Sequence, residues 1–411
     1  MRYLLITLLF IYAYSTSTSQ NLSLLNYQTN AFKNVIGIKT DFAVGSSDVS
    51  WGFTKKLIQG GEISKELKDR AFNQLVDLNS GGGLWTTGLY FGKQGSNYFG
   101  IKNSDWRIGI NHIEYADAVF SKDYFGLLFF GNKKYENQAA KLDQLNYNYL
   151  SYSTLETGFI KTYHKIRFGI DLGLAIGHKS IEVVGNKGSI FTAQDGEFVD
   201  VDLDFTTSVT PNPFTSKSIN GIGATSNFLM GFQLLNNGWI DFHINRLGFV
   251  RWNNNTIQSK LDTTTRIEGI EVQNLFDSIY INLKSFEAYQ SEFIHKSNQP
   301  RTEKLPLQLG IKFTKIFWND KMLFLGEVNY LPYSNISPSY DLDLHLKLNS
   351  HFSVGASTGI GGYNTFRMGL TSDLLINKSF LIQLYTRSFF WAIQEKNPTS
   401  FIVGASIRKY F

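Results

Sequence analysis

Taken two residues at a time, four stretches of the chain divide into an apolar and a polar face. Residues 165–178 place Ile166, Phe168, Ile170, Leu172, Leu174 and Ile176 on one side, with Arg167, Gly169, Asp171, Gly173, Ala175 and Gly177 on the other. Residues 304–314 set Leu305, Leu307, Leu309, Ile311 and Phe313 against Lys304, Gln308, Gly310 and Lys312. Residues 341–349 set Leu342, Leu344, Leu346 and Leu348 against Asp341, Asp343, His345, Lys347 and Asn349. Residues 238–245 alternate Ile240, Phe242 and Ile244 with Asp241, His243 and Asn245. A period of two sustained for about ten residues predicts strands with one greasy and one wet side. The C-terminal stretch does the same, with Phe401, Val403, Ala405, Ile407, Lys409 and Phe411 on its more apolar face. Soluble sandwiches also alternate, so periodicity alone leaves two all-β classes open.

The links between these segments favour a membrane barrel. Short ones recur at Asn236–Gly238, Trp318–Asp320, Asn349–His351 and Asn377–Ser379, while residues 331–338 and 392–399 form longer, more polar connections. That is the expected asymmetry between periplasmic turns and external loops. Pro211, Pro213, Pro300, Pro332, Pro338 and Pro398 fall in links, where a missing ladder donor does no harm. Residues 180–220 read as an extended hairpin or a long loop. Two segments have helical spacing: 63–78, with Ile63, Leu67, Ala71, Leu75 and Leu78, and 274–286, with Phe276, Ile279, Leu283 and Phe286. These amphipathic inserts would either plug the lumen or cap a rim, or else shield a barrel end or dock on a neighbouring loop. The expected fold is all-β, a transmembrane antiparallel β-barrel of about fourteen strands, with twelve and sixteen also compatible.

Composition and the N-terminus sharpen this. The 411 residues are 43% hydrophobic and 15% aromatic but only 18% charged, a vocabulary suited to strands on an aromatic-rich surface. The net charge of +5 contains no Lys/Arg run that would suit nucleic acid. Arg2 opens a basic leader, Leu4 to Tyr14 are apolar, and small polar residues follow, so residues 1–19 read as a signal peptide ahead of a single domain, 20–411. The apolar run is shorter than the roughly 20 residues a membrane-spanning helix needs. With no cysteine there is neither a lipid-anchor motif nor a disulfide framework.

One stretch is more specific. INRLGFVRWNNNT, residues 244–256, followed by IEGIEVQNLFDSI, residues 267–279, resembles a family of uncharacterised outer-membrane barrels of Bacteroidota. Its matching positions are Leu247, Gly248, Phe249, Arg251 and Trp252, then Asn274, Leu275, Phe276 and Asp277. The resemblance implies a single barrel distantly similar to transporters of hydrophobic compounds, and brings no catalytic residues with it. Arg251 and Trp252, at a strand end, suit anchoring at the membrane interface. The C-terminal strand, with Ile407, Tyr410 and terminal Phe411, resembles the assembly signal of outer-membrane proteins, which implies the insertion machinery and outer-membrane lipid as partners.

Little else announces chemistry. The seven histidines, His112, His164, His178, His243, His295, His345 and His351, form no HxxxH or HExxH spacing, and no GxSxG is present. His243 beside Asp241 and His345 beside Asp343 share strand faces, and read as polar groups satisfying each other. Asp200, Asp202 and Asp204 share one face of a strand, a weak metal candidate against a solvated or Lys/Arg-paired row. The glycine-rich pieces 79–84 and 359–364 read as turns. No cofactor and no enzyme activity is expected. The lumen would be lined by Arg167, Asp171, Asp241, His243, Lys304, Lys312, Asp341, Asp343, His345, Lys347, Arg367 and Arg387, either wet and open or knitted shut by ion pairs. The leading expectation is a channel or transporter for small molecules, apolar or not, held in that lumen; the alternative is a non-transporting scaffold in a secretion or surface-attachment complex.

Overall fold

The computed structural model describes residues 33–98, 100–210, 219–268, 294–332, 334–389 and 400–411. The leader, residues 1–19, and the helical stretch 274–286 with Asn274, Leu275, Phe276 and Asp277 lie outside them.

Fourteen strands close into one antiparallel barrel. In chain order they are β1 (Asn34–Ser46), β2 (Leu78–Tyr98), β3 (Ile101–Ser121), β4 (Asn146–Tyr163), β5 (Ile166–Thr192), β6 (Gly221–Leu235) and β7 (Gly238–Trp252). Then come β8 (Gln308–Phe317), β9 (Met322–Tyr330), β10 (Ser337–Lys347), β11 (Phe352–Gly362), β12 (Asn364–Ile376), β13 (Phe380–Thr386) and β14 (Ser400–Tyr410). Each pairs with its chain neighbours, and β1 pairs with both β2 and β14, which removes every free edge. Phe411 and Asn34 exchange both backbone bonds at 3.0 Å to finish the seam.

Among the described residues, short turns around residue 100 and at 164–165, 236–237, 318–321, 348–351 and 377–379 lie on the rim that carries the seam's ends, the periplasmic side by the usual asymmetry. His164, Asn237, Trp318, Asn319, Asp320, Asn377 and Lys378 take positive φ there, as tight hairpins require. The opposite rim carries the long excursions. β5 runs on past the barrel and Phe198–Thr210 pairs back along it, so 180–220 begins as an extended hairpin. Ile257–Glu268 and Ile294–Asn298 continue that protruding sheet.

The alternation predicted from sequence sets the faces. Phe168, Leu172 and Leu174 are exposed on the outer wall, while Asp171 and Ala175 are buried inside; Leu342 and Leu344 likewise face out, and Asp341, Asp343 and His345 face in. The insert predicted at 63–78 forms a helix over Lys65–Gln74, started by Ser64, whose hydroxyl accepts from the Leu67 N–H at 3.3 Å. Leu78 leaves the helical stripe as the exposed first residue of β2. This helix, α2, follows α1 (Trp51–Gln59), and α3 (Lys122–Phe130) joins them. Phe53, Ala71, Leu75 and Phe125 bury one another, so the three helices pack together at the long-loop rim. Trp51 stacks on Phe401 with ring centroids 4.7 Å apart.

Three expectations change. Residues 79–84 lie within β2, not in a turn, because Gly82 must stay bare for Tyr363: a Cβ there would sit 2.0 Å from the Tyr363 hydroxyl. Pro338 lies inside β10, at the register irregularity between Ser337 and Ser339. The third change concerns β7. Arg246 takes φ 58°, and two residues of β7, Asn245 and Arg246, oppose one of β6, Asn227, between Ile244 and Leu247. This bulge reverses the in–out parity. Phe242 and Ile244 face lipid before it; Leu247, Phe249 and the exposed Arg251 do so after it.

Candidate functional site

The lumen wall is built on inter-strand rows. One row crosses eight neighbouring strands through directly paired positions: Arg167, Gly231, Asp241, Lys312, Glu327, Asp341, Gly359 and Arg367. Arg167, Lys312 and Arg367 supply three cations against the three carboxylates of Asp241, Glu327 and Asp341, so this buried girdle is neutral in sum. Neutrality matters because a lone charge in so dry an environment costs several kcal/mol.

Glycines let these charges meet. Gly231 lies between Arg167 and Asp241, whose Nε–Oδ1 distance is 2.6 Å; Gly359 lies between Asp341 and Arg367, joined at 2.7 Å. Gly158 lies between Arg107 and Asp171, joined at 3.0 Å through Nε and Oδ1. His243 reaches Asn329 Oδ1 at 3.2 Å over Gly310, so its partner is not Asp241. Tyr385 donates to Asp41 over Gly404. In every case a side chain on the middle strand would occupy the space of the bond: a Cβ on Gly231 would lie 2.1 Å from Asp241 Oδ1. The pairs therefore lie along the wall and leave the axis of the barrel to other groups.

Arg387 joins the girdle at Asp341, 3.1 Å away, and brings in Asp343 at 3.2 Å. Of the predicted lining residues, Arg167, Asp171, Asp241, His243, Lys312, Asp341, Asp343, His345, Lys347, Arg367 and Arg387 are on the inner face. Lys304 is not. It pairs with Phe249 and stands exposed on the outer face, because its strand (Arg301–Lys304) matches β7 beyond the Arg246 bulge. For the same reason Leu305 and Leu307, expected on the lipid side, are buried. Sequence reasoning missed Arg246 itself, a buried guanidinium that donates to the Pro306 carbonyl at 2.8 Å.

External to the girdle an apolar layer bridges the barrel. Leu84, Ile113, Tyr115, Leu150, Tyr152 and Ala175 from β2 to β5 cluster with Val250, Trp252, Leu305, Leu331, Ile336 and Tyr363. The last three come from two links on the far side of the ring, 331–336 and residue 363. Asn335 holds that span, its N–H and side-chain amide reaching Asp117 Oδ2 at 3.2 and 3.0 Å. Burial pushes the Asp117 carboxyl up to about 6; it stands seven positions beyond Ile110, the last exposed apolar residue of β3, and so clear of the bilayer. Trp252 belongs to this layer with 0% exposure, and its indole donates to Glu303 Oε2 at 2.8 Å. It is therefore an internal residue, and of the two only Arg251 is exposed on the outer face.

The acidic row is matched by two cations and an amide. Arg266 grips Asp200 at 2.7 and 2.9 Å, Lys187 pairs with Asp202, and Asn186 reaches Asp204 at 3.3 Å. The Arg266 bonds hold the Asp200 carboxyl below the usual carboxylate range. No cluster of three or more metal-ligating side chains occurs among the described residues. At the C-terminus Ile407 and Phe411 are exposed on the outer wall, while Tyr410 points inward against Leu375 and Leu381.

A closed fourteen-stranded barrel with an apolar outer belt, a charged inner wall and one rim of short turns is an outer-membrane β-barrel. The chain belongs to a family of unknown function, DUF5723, whose model matches residues 59–385. Curated proteins contain no match to it. Among solved structures, a monoaromatic hydrocarbon channel, the TodX deltaS2S3 mutant, is similar with a TM-score of 0.51 at 10% identity over 98% of this chain and 96% of that one. The toluene transporter TodX of Pseudomonas putida is similar at 9% identity and TM-score 0.44, covering 97% and 93%. A FadL homologue of Pseudomonas aeruginosa follows at 8% and 0.42, covering 92% and 90%. At such identities the likeness is one of fold; the first of these neighbours is named a channel and the second a transporter.

Proposed function

We propose that the barrel carries small apolar molecules across the outer membrane through the layer centred on Trp252 and Tyr152. The observation behind this reading is the stacking of environments along the lumen. The apolar layer precedes a wall of charges whose main row is neutral in sum. An apolar solute gains by entering the layer about 25 cal/mol per Å² of surface removed from water. On the row of Arg167 and Asp241 it then meets two ion pairs, Arg167–Asp241 and Arg367–Asp341, with the Lys312 and Glu327 side chains between them. The fold neighbour with a TM-score of 0.51 is named a monoaromatic hydrocarbon channel, which agrees with this class of cargo.

The test is retention and passage of a monoaromatic compound by the protein reconstituted in vesicles, beside a Tyr363→Gly variant that loosens the layer. Uptake that rises in the variant and saturates in the parent supports the reading. Equal, unsaturable uptake in protein-free vesicles overturns it. A second reading, a scaffold with no cargo, has one feature in its favour: the sheet formed by Phe198–Thr210 and Ile257–Glu268 projects beyond the barrel with paired charges on its surface. Surface crosslinking in cells that recovers no stable partner would count against it. In either reading, the β14 edge, with Ile407 and Phe411 turned to lipid, is the segment we assign to recognition by the insertion machinery.

A further inference from the structure

The outer wall carries a second polar cluster, separate from the lumen. Ile110, Leu155 and Leu174 pair in one lipid-facing row across β3, β4 and β5. The next outward positions on β3 and β4 are His112 and Ser153, and the irregularity in the β4–β5 pairing after Ser151 brings His178 beside them. Ser153 Oγ lies 3.1 Å from His112 Nδ1 and 2.8 Å from His178 Nε2. His112 Nε2 lies 3.1 Å from Glu114 Oε1, which also accepts from Ser151 Oγ at 2.9 Å. The Glu114 carboxylate accepts a further bond from the Tyr149 hydroxyl. Trp85 stands edge-on to the His112 ring, with centroids 6.0 Å apart.

One placement of protons satisfies this whole set. His178 Nε2–H donates to Ser153, Ser153 donates to His112 Nδ1, and His112 Nε2–H donates to Glu114. Every donor then has one acceptor, and the chain runs from hydroxyl through imidazole to carboxylate. That order activates a serine, because the imidazole that takes its proton is oriented and stabilised by the anion behind it. The cluster stands one outward position past the exposed Ile110, Leu155 and Leu174, at the external end of the apolar belt on these strands, where a lipid's ester linkages and headgroups take over from its hydrocarbon.

We propose that Ser153, His112 and Glu114 form a catalytic site on the outer wall that hydrolyses acyl esters of membrane lipids. Ser153 Oγ attacks the ester carbonyl carbon while its proton passes to His112 Nδ1. The carbonyl oxygen's developing charge is met by His178 Nε2–H, released from Ser153 as the hydroxyl becomes an ester. The bond to the lipid alcohol breaks and that oxygen takes the proton from His112. Water, deprotonated by the same imidazole, then attacks the acyl–Ser153 ester; the bond to Ser153 Oγ breaks, that oxygen takes the proton back from His112, and the fatty acid is released. Glu114 is a positioning residue, since it acts only through His112.

The experiment uses the folded protein in vesicles of phosphatidylethanolamine and phosphatidylglycerol, with fatty-acid release and covalent labelling by a fluorophosphonate probe as the two readouts. The expected result is release together with an adduct mapped to Ser153. Ser153→Ala should lose both, roughly 10³-fold or more, while remaining folded by its heat-modifiable gel mobility. Glu114→Gln should lower kcat about 10–100-fold at unchanged KM, which a merely structural role would not do. Absence of both release and adduct in the parent protein overturns the proposal, whatever the variants do. Release that persists in Ser153→Ala overturns it as well.

Discussion

Replacing Gly231 by alanine tests the construction of the lumen wall. The added Cβ would lie 2.1 Å from Asp241 Oδ1 and 2.7 Å from Arg167 Cγ, far inside any contact a carbon tolerates. Backbone cannot give way, because Gly231 is paired on both sides, to Arg167 and to Asp241. The side chains must part, opening the 2.6 Å bond between Arg167 Nε and Asp241 Oδ1. Breaking a buried pair costs about 3–5 kcal/mol, and the quarter exposure of Arg167 lowers the expected loss to about 2–4 kcal/mol. Denaturant titration of the folded barrel in lipid vesicles, followed by tryptophan fluorescence, measures it. Gly326→Ala is the control, since its Cβ would have 3.4 Å to the nearest atom on the lipid side, and should change stability by less than about 0.5 kcal/mol. In an Arg167→Ala/Asp241→Ala background the cost of Gly231→Ala should fall below about 1 kcal/mol, as the groups it displaces are gone. A Gly231→Ala protein as stable as the parent, or a cost undiminished in that background, would refute the idea that the glycine exists to let the charges meet.

Other consequences are open to measurement. Trp252→Phe keeps the ring in the apolar layer but removes the donor to Glu303, and should cost about 1–3 kcal/mol in the same titration. Asp117 is raised from 3.8 to about 6 by burial, so its ionisation works against the folded state. Stability linked to it is complete below pH ~4 and is lost as pH rises through about 6, by roughly 3 kcal/mol at most, and Asp117→Asn should flatten that slope. Arg246→Ala removes the buried bond to the Pro306 carbonyl and should cost about 2 kcal/mol or more, read by the same assay. Deleting Phe411 removes both seam bonds to Asn34, and the level of folded protein in the outer membrane should drop, measured by heat-modifiable mobility.

The sequence by itself determined the class of this protein: alternation in segments of about ten residues assigns each side chain of a strand to one of two faces, and short turns on one side with long links on the other assign the rims. From these it followed that Asp171, Asp241, Asp341 and Lys312 line the inside and that Leu342 and Leu344 meet lipid, as the structure has them. That logic is local, and it fails wherever one residue changes parity. The positive φ of Arg246 does so, and with it the predicted places of Lys304, Leu305, Leu307 and Trp252 were reversed. Tertiary structure alone decided register. Register set Gly231 between Arg167 and Asp241, drew Asn335 across the barrel to Asp117, and brought Ser153 of β4 beside His112 of β3 and His178 of β5. Residues 41 and 66 positions apart in the chain carry no mark of that proximity. A strand states which way its side chains point, but which side chains they meet depends on the pairing of distant segments, and that is fixed by closure of the whole ring.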